Sequence, residues 1–493
     1  MANCTWHNMS TNIIAASTDV TALQPFLDVL RVTSADFTST GCGMACTERV
    51  DEGDVLLAIS LENCWTADAA QAHPALAALG TEVLSAITPQ NLIALHILLV
   101  RAGCAPDAGA PAPERCRYEH LKLLAKTPIE ALWDWSEQEL QQCLAGSKWA
   151  LAPMWARQDT LADLEEWRHY APLAELFEAN GIDAAHFLWA HKVINSRMMV
   201  FTRDGVDDVH VIGPGADMFN HSADVPLESA GGMGLERTPA AAAGEEGSGA
   251  TQLVVRASQA YTPGEQALFL YAGVSNGRLL MSGGFVLEDN PWDSVELAFT
   301  LPLHSTAISV YGALTEALER GVHSGGAFAE AMPAEFVQPV EGGDGAPPSA
   351  FVLHVRLASV TMRPQLTRVI RFFCAEQLGR AAGEAGAVAD VSLEQLDSAL
   401  TVRATAVARL RGGLREMLSK YPQTLAQNTS ALAALGTPSS AEESEAEATA
   451  RRRRHDALVV VSGEQRILQN AIESLDAEMA KPPERSHTGA GAA

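Results

Sequence analysis

Two short polar stretches, each following an apolar run, constrain the fold of this sequence more than any other feature. The first is Gly-Ala-Asp-Met-Phe-Asn-His-Ser at 215–222, which follows the apolar run 209–212 and a Gly-Pro-Gly turn. The second is Tyr-Ala-Gly-Val-Ser-Asn at 271–276, which follows the apolar run 268–270. Apolar runs bounded by glycine and proline are typical of buried strands. We therefore predict two strands that end at one polar site, to which they bring Asp217, Asn220, His221 and Tyr271.

Length and charge limit the classes of protein to which the chain can belong. It has 493 residues, which is more than one hydrophobic core usually holds, so two domains are expected. The formal net charge is −26. A field of this sign repels the phosphates of nucleic acids and favours basic partners. We expect no nucleic-acid partner.

The cysteines and the terminus bear on the compartment. Eight cysteines are scattered without Cys-x-x-Cys units, so no metal site is predicted. No apolar run reaches the length of a membrane helix, and no basic region followed by an apolar block opens the chain, so we expect an intracellular soluble protein of the cytoplasm or nucleus. The first 18 residues lack acidic side chains and are rich in Ser and Thr, which leaves a chloroplast address as the alternative, although no arginine precedes Arg31.

Hydrophobic spacing predicts the elements along the chain. Leu23, Phe26, Leu27 and Leu30 recur at helical spacing and indicate an opening amphipathic helix. The stretch 40–45 and the apolar run 55–59 predict a β-hairpin around the turn at 52–54. Two glycines, Gly41 and Gly43, permit close backbone approach to a ligand, with an ordinary hairpin turn as the alternative explanation. Ser196-Arg197 fits either a helix-end salt bridge or a component of the site.

Four groups of residues occur in an order that resembles one protein family. They are Gly41-x-Gly43-Met44-Ala45, Trp189-Ala190 before Ser196-Arg197, Asp217 to Ser222, and Tyr271 before Ser275-Asn276. This order resembles the SET-domain methyltransferases of the branch named for the Rubisco large-subunit lysine methyltransferase. Further matches are Tyr118-x-x-Leu121, Trp135-Ser136-x-x-Glu139-Leu140, Asn290-Pro291-x-Asp293 and Gly463-Glu464-Gln465-x-Ile467-Leu468.

The resemblance implies an α+β fold, in which a SET-type β-fold with a knot-like active site carries a helical insertion and is followed by an all-α C-terminal domain. The expected SET domain spans 21–300, with the insertion at about 67–190 and a low-complexity, mobile loop at 223–250. A connecting segment at 301–363 leads to a helical substrate-binding domain at 364–481. Residues 1–20 are expected to be a flexible N-terminus and 482–493 a disordered tail.

The resemblance also implies the roles of particular residues. S-adenosylmethionine would lie against the backbone of Thr40, Gly41, Cys42, Gly43 and Met44, with Ser196 or Arg197, Asn220 and His221 holding its polar groups and Phe285 near the adenine. Tyr271 matches the active-site tyrosine. Asp217, Arg197 and Met199 fall on the substrate side, where Asp217 could attract a cationic side chain. No metal is required, because methyl transfer from a sulfonium depends on alignment and desolvation.

The acceptor is less constrained than the methyl donor. The expected substrate is a lysine of a non-histone protein that is basic around the modified residue. Many lysine methyltransferases of the family carry a second tyrosine two residues before the phenylalanine matched by Phe285, and this chain has Gly283 there. A branch that methylates a histidine of actin also has a small residue at that position, so histidine is an alternative acceptor. A catalytically weak scaffold that binds a protein partner is the alternative outside the enzyme class.

Overall fold

The structure, a computed structural model, describes residues 20–37, 40–126, 129–203, 207–226, 232–237, 250–271, 273–302, 336–340, 350–382, 400–435 and 444–480. Two compact units are present. The first comprises the chain up to 135 together with 151–272 and 279–284, and the second comprises 136–150, 273–278 and the chain from 285 onward. The predicted tail at 482–493 and all but the last residue of the predicted flexible N-terminus lie outside the described residues.

The strands of the first unit form small sheets. An antiparallel sheet of order β1-β4-β10-β9 is accompanied by the pair β2-β3, the sheet β5-β7-β6 and the pair β8-β11. These strands are β1 (Leu27–Leu30), β2 (Val32–Phe37), β3 (Gly41–Cys46), β4 (Val55–Ser60), β5 (Trp65–Thr66), β6 (Met199–Arg203), β7 (Asp207–Ile212), β8 (Asn220–His221), β9 (Gly232–Arg237), β10 (Thr251–Arg256) and β11 (Leu268–Phe269).

The stretch predicted as a helical insertion is largely helical from Ala67 to Arg197, and its part 136–150 belongs to the second unit. Its helices are α1 (Ala67–Gln71), α2 (Pro74–Ala77), α3 (Thr81–Ser85), α4 (Pro89–Ala102), α5 (Ala112–Leu124), α6 (Glu137–Cys143), α7 (Ala152–Arg168), α8 (Ala171–Asn180) and α9 (Ala184–Arg197). Polar caps fix the helices that matter most for the site. Thr88 Oγ1 accepts from Asn91 N at the start of α4, and Asp183 Oδ1 accepts from His186 N at the start of α9.

Two apolar clusters support the first unit. One joins the buried face of α4 to α9 and to the fully buried Trp65. The other joins β4, β10 and β3 around fully buried side chains such as Leu57 and Leu253. Each fully buried side chain of this size contributes roughly 1.5–3 kcal/mol of transfer free energy. These cores hold the strand ends that carry the polar stretches.

The second unit combines a sheet with long helices. Strands β12 (Ser294–Pro302), β14 (Ala350–Ala358) and β13 (Phe336–Val340) form an antiparallel sheet. The helices from 276 onward are α10 (Asn276–Gly283), most of which belongs to the first unit, α11 (Met362–Ala382), α12 (Leu400–Ser419), α13 (Leu425–Leu435) and α14 (Glu445–Met479). From Met362 onward all described elements are helical, as expected for 364–481. The predicted connecting segment at 301–363 contributes two strands of the sheet, which is a correction.

Three further predictions of local structure are wrong. The expected opening helix is a 3-10 helix at Val20–Phe26 that contains Pro25, followed by β1, because Leu27 pairs with Ile59 in a strand. The expected hairpin of 40–45 with 55–59 does not form, because β3 pairs with β2 and β4 pairs with β1 and β10. The expected mobile loop at 223–250 contains β9, which pairs with β10 along its whole length, and the rest of that loop lies largely outside the described residues.

Candidate active site

Strands β8 and β11 run parallel, and their pairing brings the two polar stretches together. Asn220 pairs with Leu268 and His221 with Phe269. The contact continues beyond the strands, because Ser222 N donates to Phe269 O at 3.1 Å and Tyr271 N donates to His221 Nδ1 at 3.0 Å. The two polar stretches therefore meet, although Asn220 and His221 do so as a short strand of their own, and the end of β7 pairs elsewhere. That they form an active site stays a prediction.

Tyr271 lies at the surface of this site with its hydroxyl directed inward. Although 43% of the residue is exposed, the hydroxyl donates to the backbone oxygen of the buried Phe219 at 2.5 Å. The ring packs against Phe269 and His221, with ring centroids at 5.0 and 5.1 Å. Burial of the hydroxyl raises the pKa of Tyr271, while the charge of Arg197 opposes the rise. The phenol therefore stays protonated at neutral pH.

Asn220 connects the site to the β2-β3 hairpin. Its Nδ2 donates to the backbone oxygens of Cys42 at 3.0 Å and Thr40 at 3.4 Å. A Cβ on Gly43 would lie 2.6 Å from Asn220 Nδ2 and 2.4 Å from Gln266 Nε2. A side chain at position 43 would therefore displace both amides. The partners that approach Gly43 closely are these two amides of the same chain. The close approach to a ligand that the two glycines predict stays a prediction.

Gln266 is a component of the site that the sequence did not indicate. Its Oε1 accepts from Thr40 Oγ1 at 2.9 Å, while its buried Nε2 has no hydrogen-bond partner among the described residues. Beside it, Gly41 adopts φ +70°, and a Cβ there would meet nothing within 4 Å. Buried donors are nearly always paired in folded proteins. The hairpin turn thus combines open space with a donor that lacks an acceptor.

His221 and Met44 are both buried, with different consequences. Burial lowers the pKa of His221 to about 4, so its ring is neutral at pH 7. Because His221 Nδ1 accepts from Tyr271 N, the ring proton is on Nε2. Met44 is fully buried in the core, and its backbone oxygen accepts from Ala267 N at 2.8 Å. Its side chain is therefore a packing residue.

The predicted substrate-side role of Asp217 requires correction. Its side chain is 0% exposed, and both carboxylate oxygens are hydrogen-bonded within the chain. His120 Nε2 lies 3.0 Å from Oδ1, and Arg197 Nη1 donates to Oδ2 at 2.9 Å. Burial alone would raise the pKa of Asp217, but His120 and Arg197 outweigh it and lower the pKa to about 2. A carboxylate held in this way orients neighbouring protein groups and is not available to attract a substrate.

Trp65 fixes the tautomer of His120. Its indole Nε1 donates to His120 Nδ1 at 2.8 Å. Because an indole N–H can only donate, Nδ1 of His120 is an acceptor and the imidazole proton is on Nε2, where it is donated to Asp217. The buried chain Trp65, His120, Asp217 and Arg197 thus connects the insertion with the site. Sequence spacing gave no signal for it, because His120 and Asp217 are 97 residues apart.

The guanidinium of Arg197 has one nitrogen, Nη1, that is hydrogen-bonded and another, Nε, that is not paired within the described residues. Its side chain is 12% exposed, and Nη1 also donates to the backbone oxygen of Asp217 at 3.0 Å. Its Nε is buried without a hydrogen-bond partner in the described part of the chain. The salt bridge at the end of α9 is therefore present, and a donor remains for a bound group. The neighbouring Ser196 donates its hydroxyl to Val193 O at 3.1 Å.

Met199 and Phe285 complete the predicted site residues. Met199 is half-buried and packs against the apolar cluster of β3, β4 and β10. Phe285 is half-buried and belongs to the second unit. Their roles at a substrate and at an adenine stay predictions. Within the described ranges, no group of three or more His, Cys, Asp or Glu side chains is arranged to hold a metal ion, and no helix has the length and apolar character to cross a membrane.

Comparison with solved structures identifies the fold. The SET domain of LSMT bound to lysine and AdoHcy superposes with a TM-score of 0.64 at 17% sequence identity, covering 96% of this chain and 93% of that one. The chain has the SET-domain fold of Rubisco LSMT. Rubisco LSMT bound to AdoMet superposes with a TM-score of 0.59 at 16% identity, covering 96% and 92%. No family model and no curated protein matches the sequence. The fold implied by the motifs is thereby confirmed.

Proposed function

We propose that this SET-fold protein is an S-adenosylmethionine-dependent protein methyltransferase that acts on a lysine side chain of a non-histone protein. The observation that carries the proposal is the placement of Tyr271, whose hydroxyl is held by Phe219 O beside the parallel pair of Asn220–His221 and Leu268–Phe269. The LSMT structures of the same fold contain AdoMet or AdoHcy, and lysine or methyllysine.

The residues around the hairpin turn fit this cofactor. Two buried donors lack partners among the described residues, Gln266 Nε2 and Arg197 Nε, and both suit oxygen acceptors such as a carboxylate. A Cβ on Gly41, in the same hairpin turn, would meet nothing within 4 Å, so the turn is open there. When bound, S-adenosylmethionine would supply a sulfonium methyl group that an uncharged nucleophile accepts by in-line displacement. Asn220 keeps the hairpin in place by donating to Cys42 O, which leaves its own Oδ1 as an acceptor.

Tyr271 acts in this proposal as a neutral group that orients the acceptor. Its proton is donated to Phe219 O, so its oxygen offers lone pairs toward an amine or a methyl group. Burial raises the pKa of Tyr271, which argues against a phenolate base at neutral pH. A lysine acceptor would therefore lose its proton to solvent before transfer. Since Asp217 is buried and paired, attraction of a basic substrate falls to the net charge of −26.

Histidine is the second candidate acceptor, and one observation favours it. Gly283 ends helix α10 and is exposed, so no hydroxyl is present where many lysine methyltransferases of the family have a tyrosine. Acid hydrolysis of labelled product distinguishes the two acceptors, because methyl-lysine and methyl-histidine separate. Methyl-histidine would overturn the lysine assignment and leave the methyl donor intact.

Three measurements test the proposal. Calorimetry with S-adenosylmethionine should give binding, and its absence would refute both enzyme assignments. Cell extract incubated with labelled cofactor should yield a labelled protein band. If the cofactor binds and no band appears, the scaffold alternative is supported. The rate of labelling should fall as ionic strength rises if charge steers a basic substrate, whereas a flat response would remove steering from the account.

Tyr271→Phe tests the assigned role directly. The methyl-transfer rate of the variant should fall at least about 100-fold, which is typical for the loss of an orienting or hydrogen-bonding group in an active site. The affinity for the cofactor should change little. Tyr170→Phe is the matched control, because Tyr170 has the same exposed fraction of 43% and lies in the insertion. Full activity of Tyr271→Phe would refute the role given to this hydroxyl.

A further inference from the structure

A cavity of about 740 Å³ opens in the first unit, and no residue of the candidate active site lines it. Its walls come from the end of β4, from α1 and α4, and from the start of α5. Cavities of 300–1,000 Å³ are the usual size for sites that bind small organic molecules. The proposed methyl transfer makes no use of this space.

Arg117 is a buried cation at this cavity. It is 8% exposed, and its Nη1 donates to the backbone oxygens of Glu62 at 2.7 Å and Cys64 at 3.1 Å. Both acceptors are neutral carbonyls. The ion pairs found among the described residues do not include Arg117, and Glu114 acts on it from beyond salt-bridge distance. Buried charges are normally paired, because leaving one alone costs several kcal/mol in order of magnitude.

Two histidines beside Arg117 add polar groups without adding charge. His73 and His96 line the same cavity with ring centroids 5.3 Å apart, and the Nδ1 atom of each is buried without a partner in the described structure. Burial and the charge of Arg117 lower the pKa of both rings, so both are neutral at pH 7. Neither histidine contributes a charge, and no third metal-binding side chain joins them among the described residues. The chemistry therefore favours an organic ligand.

The remainder of the lining sets the class of ligand. The walls include the apolar side chains of Leu61, Leu99 and Val100. The rim carries the exposed carboxylates Glu62, Asp68 and Glu114, which repel a ligand of high negative charge. One buried cation behind an acidic rim balances one negative charge, and the walls accommodate an apolar body.

We propose that this cavity binds a small monoanionic carboxylate with an apolar body, whose carboxylate pairs with Arg117 and whose body packs on the walls from β4 and α4. The bidentate geometry of a guanidinium suits a carboxylate, and the neutral histidine rings supply additional donors. The site is separate from the methyl-transfer site, so its occupancy does not depend on that activity.

Calorimetry on the full chain with naphthalene-2-carboxylate tests the site. The neutral amide of the same shape, naphthalene-2-carboxamide, measures what the charge contributes, and inorganic phosphate measures binding of charge without an apolar body. We expect the carboxylate to bind at least tenfold more tightly than either. Equal affinity for the carboxamide, or tighter binding of phosphate, would overturn the proposal.

Two variants locate the binding. Arg117→Met should abolish discrimination between carboxylate and carboxamide, and Lys122→Met is the control, because it removes a cation from the same helix without touching the lining. Since Arg117→Met also loses two hydrogen bonds to carbonyls, Val100→Trp provides an independent variant that fills the cavity from α4. Unchanged carboxylate binding in Val100→Trp or in Arg117→Met would show that the carboxylate binds elsewhere and would refute the site.

Discussion

Gly43 is the residue at which one methyl group should disturb the site most directly. In Gly43→Ala the new Cβ would overlap Gln266 Nε2 at 2.4 Å and Asn220 Nδ2 at 2.6 Å. Both atoms end flexible side chains, so the amides can move aside and the free energy of unfolding should change little. The hydrogen bond from Asn220 to Cys42 O would be lost. We expect affinity for S-adenosylmethionine to fall about tenfold or more, which is about 1.4 kcal/mol.

Calorimetry measures that affinity, and Gly109→Ala is the control because a Cβ there meets nothing within 4 Å. Equal losses in the two variants would indicate a general effect of added side chains. Unchanged affinity in Gly43→Ala would remove the amide pair from the cofactor site.

Tyr271 predicts a feature of the pH–rate profile. Because burial raises its pKa above the usual value near 10, the phenol remains protonated throughout the range in which the protein is expected to work. The pH dependence of the methyl-transfer rate between pH 7 and 10 should therefore have the same shape in the unmodified protein and in Tyr271→Phe. A limb in this range that is present in the unmodified protein and absent from the variant would identify Tyr271 as an acid or base, contrary to the positioning role.

Helix α5 (Ala112–Leu124) links the cavity to the active-site chain. Arg117 and His120 are three residues apart on it, and they have different partners. Arg117 lines the cavity, whereas His120 reaches Asp217. Trp65 contacts both sides, since it donates to His120 and packs edge-on against the cavity-lining His96 with centroids 5.2 Å apart. The indole ring of Trp65 therefore contacts both the wall of the cavity, at His96, and the buried hydrogen-bond chain, at His120.

The hydrogen bond from His120 predicts a loss of stability in His120→Leu. Asp217 has a pKa lowered to about 2, so its contribution to folding is complete above its unfolded value near 3.8 and is lost as pH falls through 2. Removing a hydrogen-bond partner of a buried carboxylate costs about 2–4 kcal/mol. We expect that loss at pH 7 in a denaturant titration, and acid unfolding should begin at a higher pH.

His169→Leu is the control for His120→Leu, because His169 is exposed and contacts only a backbone oxygen through its Nδ1 among the described hydrogen bonds. An equal change in the two variants would mean that the buried chain contributes nothing specific. A stable His120→Leu protein with full activity would exclude His120 as a positioning residue.

The elements show where the sequence was informative. Tyr271, Asn220 and His221 could be singled out because each lies shortly after an apolar run and belongs to a motif that resembles the family. Tyr271 follows β11 closely, whereas Asn220 and His221 form the short strand β8 themselves. The hairpin prediction failed because strand pairing is decided by distant partners: β4 pairs with β10, about 200 residues away, and not with β3. His120 and Gln266 escaped for the same reason, since their site contacts are 97 and 226 residues distant in sequence.

At the scale of the whole molecule, the second unit has its own polar centre on helix α14 (Glu445–Met479). Glu464 is buried, and it accepts hydrogen bonds from Ser147 Oγ at 3.0 Å and from the Tyr421 hydroxyl at 2.8 Å. Beside it, a Cβ on Gly463 would lie 2.1 Å from Asp293 Oδ2. The motif Gly463-Glu464-Gln465, matched in the sequence through family resemblance, is thus explained by close packing and by hydrogen bonds. Two carboxylates share this interior, and the charge of Lys148 acts on Glu464.

This centre makes the stability of the second unit depend on pH in the direction opposite to that of Asp217. Burial raises the pKa of Glu464 from 4.5 to about 7, so its protonated form is stable in the fold. The contribution of Glu464 to the free energy of unfolding is fully present below pH 4.5 and is lost as the pH rises through 7, because the unfolded chain releases the proton first. The loss reaches about 3 kcal/mol.

Glutamine at position 464 cannot ionise, and it keeps an acceptor for Tyr421 and gains a donor for Ser147. Glu464→Gln should therefore match the unmodified protein at pH 5 and exceed its unfolding temperature at pH 8, as measured by calorimetric scans at both pH values, whereas Glu473→Gln, exposed on the same helix, should change neither. A Glu464→Gln protein less stable at pH 8 would show that the carboxylate is ionised and stabilising in the fold.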